Sequence, residues 1–453
     1  MRIELLNDFG KTDEFCRGPN LRYLASCFRS FSCVSATTDL PAVAPDKILI
    51  FCLAATGSNL LNLLPVAKEA QRRGLLGGIV TGEAVERTNP GAFKEFPVVV
   101  SERDLCRRVG MKFLPGSLAR AIKRLNRIVR WLNVRHDHSA LRVRQNFGAY
   151  LKLMVQAERS QIIWRRLLSQ WKPSSILTTS DFYPFEFHLI AEAKKLGIPS
   201  AILQHGEPND VVVWPTYADT FLAWGKSYEE QLIKRGAPEE RVKITGMPSS
   251  DAWFNRAKPA GTDSKKTQGG CLVLSHTQDR IEDAELFERF GQCLKETIEK
   301  TPSVKWKIKL HPSEDDTFYR ETGLSALTQV EILPRNISLE ESVLGSDVVC
   351  TIRSTAGLQA MMLQKPVVVL DLARTAPVTW PLQGGGIYAK CANDFSTLVN
   401  QLVSDQAVLH SLLEQQQAFL GLKFAHRGNA TAAVVDCLTI QKRKTGTHPS
   451  PLQ

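Results

Sequence analysis

The stretch SDVVCTIRSTAGLQAMMLQKPVVVLD, residues 346–371, decides the predicted fold. Its segments Val348–Ile352 and Val367–Leu370 are short β-branched apolar runs, which are typical of parallel strands buried on both faces. Between them a helix is predicted to begin near Gly357 and to stop at Lys365-Pro366, because proline cannot continue a helix. The stretch therefore predicts a strand–loop–helix–strand unit of a parallel α/β sheet.

The loop of this unit has the chemistry of an anion site. Arg353, Ser354 and Thr355 precede the predicted helix, and Gly357 stands in its first turn. A helix N-terminus offers free backbone N–H groups and the positive end of the helix dipole, about half an elementary charge. A small residue lets the backbone approach a ligand closely. These four residues are therefore predicted to bind a phosphate group.

Length and composition indicate two globular domains. At 453 residues the chain exceeds what one core usually supports, and 43% of the residues are hydrophobic. No apolar run approaches the roughly 20 residues that span a bilayer. The ten cysteines form no C-x-x-C pair, which favours reduced thiols in a cytoplasmic protein. The predicted organisation is a loosely ordered arm (1–45), a first Rossmann-like domain (46–257), a second one (271–440) and a tail (441–453).

The first domain is predicted to place polar residues at the carboxyl ends of its strands. Gly57 and Ser58 follow the first strand at a strand-to-helix turn, where they could contact a ligand or only shape the turn. Asp181 follows a later strand; it could orient a catalytic group or the acceptor, or cap a helix. The next strand leads into Gln204-His205-Gly206-Glu207.

His205 is the candidate general base of this domain. A free imidazole has a pKa of about 6.5, so it can take a proton from a hydroxyl group near neutral pH. The alternative is a histidine that packs at the turn. In the second domain, Lys309 and His311 flank the end of a strand on one face, where a cation and an imidazole suit nucleotide phosphates. Pro312 follows, so His311 could also be satisfied by the backbone beside a turn.

Nearly all of the net charge of +11 lies in one segment. Residues 107–144 contain eleven Lys or Arg residues and one acidic residue, Asp137. The apolar residues of the segment 118–132 recur with the period of a helix and form a stripe on one side of it. The opposite side carries basic residues: Arg120, Lys123, Arg127 and Arg130. Such a helix either packs in the domain with a solvated basic face or attracts an anionic membrane surface or a polyanionic acceptor.

A set of motifs in a fixed order resembles a known family. The motifs are LPVAKEAQRRG (64–74), LQHGEP (203–208), ADTFLAWGKSYEEQLIKRGAPEERVKITGMPSSD (218–251), IKLHPSE (308–314) and the 346–371 stretch. They resemble the two-domain GT-B glycosyltransferases of bacterial surface-polysaccharide synthesis. They are also similar to the glycerophosphotransferases of teichoic-acid assembly and to bacterial sialyl- and polysialyltransferases. The resemblance covers roughly residues 47–440.

The resemblance implies two Rossmann-like domains that face each other across a cleft. It implies that His311 and Pro312 bind the donor phosphate, that Ser354 and Thr355 do so at the later helix, and that the base lies in the Gln204–Gly206 loop. Sialyltransferases carry an acidic pair before that glycine, whereas His205 resembles the glycerophosphotransferases. The donor is therefore left open.

The sequence thus predicts a metal-independent glycosyltransferase without a cofactor. It would move a sugar or polyol phosphate from a nucleotide-activated donor to a hydroxyl of a glycan or lipid-linked acceptor. Gly57, Ser58, Gln204, Gly206 and Glu207 would contact the acceptor, with His205 and Asp181 as catalytic residues. The cell compartment is predicted to be the cytoplasm, with or without attachment to the inner face of the membrane.

Two rival functions stay open. One is a sugar-nucleotide 2-epimerase of the same fold, which needs paired carboxylates near the sugar, for which Glu207 and Asp181 could serve. The other is a non-catalytic protein that binds anions or membranes through 107–144. That segment contains only two aromatic residues suited to stacking on bases, Phe113 and Trp131, so specific nucleic-acid binding is not predicted. His136-Asp137-His138 has no further metal-ligand companions and is predicted to be solvated.

Overall fold

The computed structural model describes most of the chain between residues 42 and 445. The described ranges are 42–53, 57–102, 104–105, 114–134, 147–181, 184–206, 216–257, 270–275, 284–311, 314–352, 354–372 and 384–445. Most of the predicted arm, the end of the tail, the His136–His138 cluster, Glu207, Pro312 and Arg353 lie outside these ranges. The chain divides into two compact units, one of residues 1–223, 228–249 and 431–453, the other of 224–227 and 250–430.

The first domain is built on a seven-stranded parallel sheet. Its strand order is β3-β2-β1-β4-β5-β6-β7, and every neighbouring pair is parallel. The strands are β1 (Ile48–Cys52), β2 (Leu76–Thr81), β3 (Val99–Ser101), β4 (Ser175–Thr178), β5 (Ser200–Leu203), β6 (Thr220–Ala223) and β7 (Val242–Ile244). Four central strands are buried along their whole length, as expected when helices cover both faces of a sheet.

The helices of this part of the chain connect successive strands. They are α1 (Gly57–Arg72), α2 (Glu83–Thr88), α3 (Leu114–Val134), α4 (Phe147–Trp171), α5 (Pro184–Lys195) and α6 (Lys226–Lys234). Gly74 has a φ of +67°, so it takes the left-handed conformation that ends α1, as its sequence position predicts.

The two faces of the first sheet have separate apolar partners. Alternate residues of β1, such as Ile48 and Ile50, share a cluster with the α1 residues Leu63 and Val66. Phe51 points to the other face, where its ring meets the Trp164 ring of α4 edge-on, with centroids 5.4 Å apart. The period-2 alternation of one strand thus fixes which helix packs on which face.

The second domain repeats the plan with six parallel strands. Its order is β10-β9-β8-β11-β12-β13. The strands are β8 (Gly270–Leu274), β9 (Lys305–Lys309), β10 (Val330–Ile332), β11 (Val348–Thr351), β12 (Val367–Leu370) and β13 (Ile387–Ala389). The helices are α7 (Asp251–Arg256), α8 (Ala284–Lys300), α9 (Thr317–Glu321), α10 (Leu339–Leu344), α11 (Ala356–Met362), α12 (Ala392–Ser404) and α13 (Gln406–Lys423). Trp306 and Phe395 pack together in its core, with ring centroids 5.5 Å apart.

The last helix, α14 (Ala430–Thr445), departs from the predicted layout. The sequence placed residues up to 440 in the second domain. In the structure Val434, Val435 and Leu438 are fully buried in the first-domain cluster that contains Ile48. Arg73, the residue after α1, also donates a hydrogen bond to Asp436. The apolar face of α14 therefore completes the first domain, a long-range pairing that local sequence pattern does not encode.

Two parallel-strand sheets with covering helices confirm the predicted α/β fold of two Rossmann-like domains. Among the described residues, no helix combines the length and hydrophobicity needed to cross a bilayer.

Candidate functional site

Each sheet has a point where the strand order reverses. In the first sheet the chain builds from β1 to β3 on one side and resumes at β4 on the other; in the second, β8 and β11 flank the same reversal. Open α/β sheets bind ligands at the carboxyl ends of the strands beside such a point, because the two flanking loops leave in opposite directions. Every predicted site residue that the structure describes lies on or beside one of these carboxyl-end loops.

In the first domain, Gly57 and Ser58 are the first two residues of α1, after β1. Asp181 follows β4, and Gln204, His205 and Gly206 follow β5. Since β1, β4 and β5 are neighbours, the predicted residues are brought to one stretch of the sheet edge. The predicted acceptor contact Glu207 lies outside the described residues.

His205 is a largely buried, neutral imidazole. Burial lowers its pKa below the usual value of 6.5, and a hydrogen bond to the backbone of Thr179 offsets part of this decrease. A ring nitrogen that donates to a carbonyl oxygen fixes the tautomer, which leaves the lone pair on the other nitrogen. Such an imidazole has the form that a general base needs at neutral pH.

Two residues with predicted roles hold the loops around His205. The buried Gln204 side chain donates to the Gly206 carbonyl oxygen across 3.0 Å, which closes the turn that carries His205. Asp181 accepts hydrogen bonds from the Thr216 hydroxyl at 2.7 Å and from the Tyr217 backbone N–H at 2.6 Å. The carboxylate of Asp181 thus anchors the segment that precedes β6.

A pair of carboxyl groups at the same edge, one half-buried and one buried, was not predicted. Glu102 comes directly after β3, and Glu186 lies in the first turn of α5, after β4. Burial raises the pKa of Glu186 to about 8, helped by the charges of Glu102 and Asp181. Burial also raises the pKa of Glu102 to about 7, with Glu83 as a second cause. Both groups can therefore gain or lose a proton near neutral pH, which is frequent at catalytic sites.

Little in the sequence indicates this pair. β3 is only three residues long and escaped prediction, so Glu102 had no strand end to mark it. Glu186 falls in a predicted helix, where a charged residue ordinarily faces solvent. Its exposed fraction is 4%. Only the packing around it reveals the raised pKa.

In the second domain a buried polar cluster shapes the loop after β9. The Glu314 carboxylate accepts a hydrogen bond from the Ser275 hydroxyl at 2.8 Å and another from the His311 backbone N–H at 3.1 Å. The Tyr319 hydroxyl lies 2.5 Å from the Ser275 oxygen. Burial raises the pKa of Glu314. This cluster ties the ends of β8 and β9 together and leaves the His311 residue exposed.

The Lys309 side chain reaches the loop after β10. The Lys309 ammonium donates to the Arg335 carbonyl oxygen across 3.4 Å, whereas His311 is exposed to solvent. Both are nevertheless at the carboxyl end of β9, which lies next to β8 and its reversal point. Pro312 lies outside the described residues.

In the loop after β11, Ser354 makes local hydrogen bonds at the start of α11, whereas the Thr355 side chain does not cap the helix. The Ser354 backbone N–H donates to the Thr351 hydroxyl at 3.2 Å, and the Ser354 hydroxyl accepts from the Ala356 backbone N–H at 3.2 Å. Thr355 is the N-cap residue of α11, but its side chain makes no capping hydrogen bond. Gly357 is buried, so the backbone is closely packed there. Arg353 lies outside the described residues.

No protein-family model and no curated protein matches this chain. Solved structures match it over most of its length. A UDP-GlcNAc 2-epimerase from Neisseria meningitidis bound to UDP-GlcNAc matches with 14% identity, 87% of this chain, all of that chain and a TM-score of 0.57. The UDP-GlcNAc 2-epimerase of Methanocaldococcus jannaschii matches with 14% identity over 87% of this chain and 99% of that chain, with a TM-score of 0.53.

A glycosyltransferase, CalG4 of calicheamicin synthesis, matches with 14% identity, 89% of this chain, all of that chain and a TM-score of 0.51. Matches at this identity establish the fold and not the reaction. Together with the two sheets described above, they show that this chain has the GT-B fold, with two Rossmann-like domains.

Proposed function

We propose that the protein acts on a nucleotide-activated sugar, and that its reaction is the inversion of a sugar ring carbon. The sequence favoured a glycosyltransferase, with a 2-epimerase as the alternative. The matching solved structures favour the epimerase, since two of those described above are UDP-GlcNAc 2-epimerases. The observation that carries the proposal is the pair of carboxyl groups at the carboxyl edge of the first sheet, the half-buried Glu102 and the buried Glu186, both with raised pKa values.

Ring inversion has a simple chemical requirement. As a proton leaves carbon 2 on one face of the sugar, its electron pair forms a double bond to carbon 1 and expels UDP; the proton then returns on the opposite face as UDP adds back to carbon 1. Two proton-handling groups are therefore needed, one on each face. The pKa values of about 7 and 8 let Glu102 and Glu186 serve either as acid or as base near neutral pH. Asp181 raises the pKa of Glu186 and thereby supports this role. The sequence suggested Glu207 and Asp181 as the paired carboxylates of an epimerase. In the proposed reaction Glu102 and Glu186 take that role instead.

The nucleotide part would bind to the second domain. Lys309 and His311 would neutralise the phosphates, with the loop of Ser354, Thr355 and Gly357 beside them. The sequence predicts that Arg353 and Pro312 also contact the donor phosphates, and we retain that role for them here. The proposed chemistry uses these side chains and no cofactor. His311→Ala is expected to weaken UDP binding about tenfold, whereas His410→Ala, on an exposed face of α13, is expected to leave it unchanged.

An incubation without acceptor tests the proposal. UDP-GlcNAc is the probe, and chromatography separates it from its 2-epimer. Wild-type protein is expected to interconvert the two. Glu186→Gln and Glu102→Gln are each expected to slow the conversion at least 100-fold, because an amide cannot take up or release the proton. Glu240→Gln, at an exposed glutamate of the same domain, is the matched control. Absence of conversion by the wild-type protein would refute the epimerase function.

One observation favours the transferase as a second candidate. His205 is neutral and its tautomer is fixed, which suits deprotonation of an acceptor hydroxyl. In that case Gly57, Ser58, Gln204 and Gly206 would contact a glycan or lipid-linked acceptor of surface-polysaccharide synthesis. UDP release that depends on an added acceptor, with no 2-epimer formed, would identify this reaction.

A further inference from the structure

The described part of α3 has a row of arginine and lysine side chains on its solvent face. Lys123, Arg127 and Arg130 are exposed, and no ion pair is recorded for them within the described ranges. At about 100° per residue they fall within one narrow sector of the helix. With a rise of about 1.5 Å per residue, they extend roughly 10 Å along it.

The opposite face of α3 is closed by packing. Ala121 and Leu125 are fully buried. Arg120 and Arg124 both pair with one α4 carboxylate, Glu158, at 2.8 Å each, and Glu158 is 4% exposed. α3 is therefore fixed to α4 in an orientation that keeps the basic row outward. Ala121 and Leu125 are therefore not free to insert into a membrane.

The charge of this region is far from balanced. Glu158 neutralises one of its two arginine partners, so the remaining arginine adds to the three cations of the row. The sequence on either side of α3 adds further cations, since residues 107–144 hold eleven basic residues against one acidic residue. Ile122 borders the basic row and is 37% exposed, which adds a small apolar contact.

We propose that the basic row of α3, Lys123, Arg127 and Arg130, docks the protein onto an anionic lipid surface. A straight, outward row on a rigid helix matches a planar array of phosphate headgroups, and attraction of this kind needs no insertion. This inference does not depend on the proposed enzyme activity.

Vesicle flotation tests the docking. The wild-type protein is expected to float with vesicles of phosphatidylglycerol and phosphatidylcholine at about 0.1 M salt, and to lose binding near 1 M salt, where the screening length falls to about 3 Å. It is not expected to float with vesicles of phosphatidylcholine alone. Binding that is equal on both vesicle types, or no binding to either, would overturn the proposal.

A pair of charge variants separates this row from net charge. Lys123→Gln/Arg127→Gln/Arg130→Gln is expected to weaken binding about 100-fold, since each cation near an anionic surface strengthens it roughly fivefold. Lys94→Gln/Lys194→Gln/Lys234→Gln removes three charges from other exposed positions of the domain and is expected to float like the wild type. Gln is a good helix former, so α3 should persist.

Equal flotation of the two triple variants would contradict the assignment to α3. So would the finding that the wild-type protein binds a soluble polyanion, such as heparin, but no anionic vesicle. Conversion of UDP-GlcNAc, measured without vesicles, should be the same in both triple variants, so the failure of one proposal can be told from the failure of the other.

Discussion

At the scale of single residues, His205 governs the expected pH dependence of transfer to an acceptor hydroxyl, the second candidate reaction. Burial keeps its pKa below 6.5, so its neutral form prevails at pH 7. We expect kcat/KM for transfer to stay level as the pH falls from 7 past 6.5, because the pKa of His205 is lowered, and to fall only at lower pH, as His205 becomes protonated. His205→Ala should lower kcat at least 100-fold while UDP affinity changes less than about twofold. Full turnover by this variant would show that His205 is not the base; His410→Ala serves as control.

Glu186 gives a prediction about stability that has the opposite sign to a usual carboxylate. In the unfolded chain it ionises near pH 4.3, whereas in the folded protein its pKa is about 8. The unfolded state therefore holds fewer protons between these values, and the free energy of unfolding falls as pH rises through this window. Glu186→Gln cannot ionise, so at pH 8 it should be more stable than wild type by on the order of 2–4 kcal/mol.

Urea denaturation at pH 5 and pH 8 measures this difference. The advantage of Glu186→Gln should be small at pH 5 and grow at pH 8, while Glu240→Gln, whose carboxylate is exposed, should show no such growth. An advantage that is the same at both pH values would mean that Glu186 has an ordinary pKa.

His188 on α5 should destabilise the protein in acid. Burial, and secondly the charge of Arg124, lower its pKa to about 4. Below pH 6.5 the unfolded chain takes up a proton that the folded chain does not, so the free energy of unfolding falls as the pH falls toward 4. At pH 5 this amounts to about 2 kcal/mol.

His188→Gln isolates this contribution. It keeps a polar group near Gln161, whose amide nitrogen lies 3.2 Å from the His188 Nδ1 atom, and it cannot be protonated. In thermal denaturation the gap between wild type and variant should shift in favour of the variant from pH 7 to pH 5. A parallel pH dependence for both proteins would contradict the lowered pKa.

The location of a candidate site residue was predictable only where a recognisable sequence pattern precedes that residue. His205 and His311 stand at the ends of recognisable strands, and the structure describes them there. Glu102 and Glu186 owe their pKa values to burial by distant parts of the chain. No local pattern carries that information.

At the scale of the helices and strands, α14 tests where the domain boundary lies. Leu438 is fully buried among first-domain residues, whereas Ile440 on the same helix is 55% exposed. Leu438→Ala should lower the free energy of unfolding by about 2–5 kcal/mol, and Ile440→Ala by less than about 0.5 kcal/mol.

Hydrogen exchange locates the effect of Leu438→Ala. Protection should fall in the strands β1 and β2 and persist in β11 and β12, because Leu438 packs in the first-domain cluster. A loss of protection confined to β11 and β12 would show that α14 belongs to the second domain, as the sequence predicted.

Elements with strong periodicity were predictable, and those without it were not. The apolar runs of β1, β5, β8, β11 and β12 lie where the sequence predicts strands. The long helix α13 was missed, because it buries only Leu412, Gln416, Phe419 and Leu420 and is rich in glutamine. Its buried positions do follow a helical period, but the buried Gln416 interrupts the apolar stripe.

At the scale of the whole molecule, the two domains resemble each other because their sheets are built in the same order of strands. Both sheets start in the middle, extend to one edge and resume on the other side. Alternating strands and helices predicted this plan, because parallel strands need crossovers of one hand. The choice between inversion and transfer was beyond the sequence, since the same fold serves both reactions.

Solvent-proton exchange into the sugar tests the proposed inversion most directly. Wild-type protein is incubated with UDP-GlcNAc in D₂O without an acceptor, and the carbon-2 proton is followed by NMR. We expect that proton signal to disappear as deuterium enters, and to persist with Glu186→Gln. A carbon-2 proton that stays in place with the wild-type protein, while UDP binds normally, would contradict the proposed reaction.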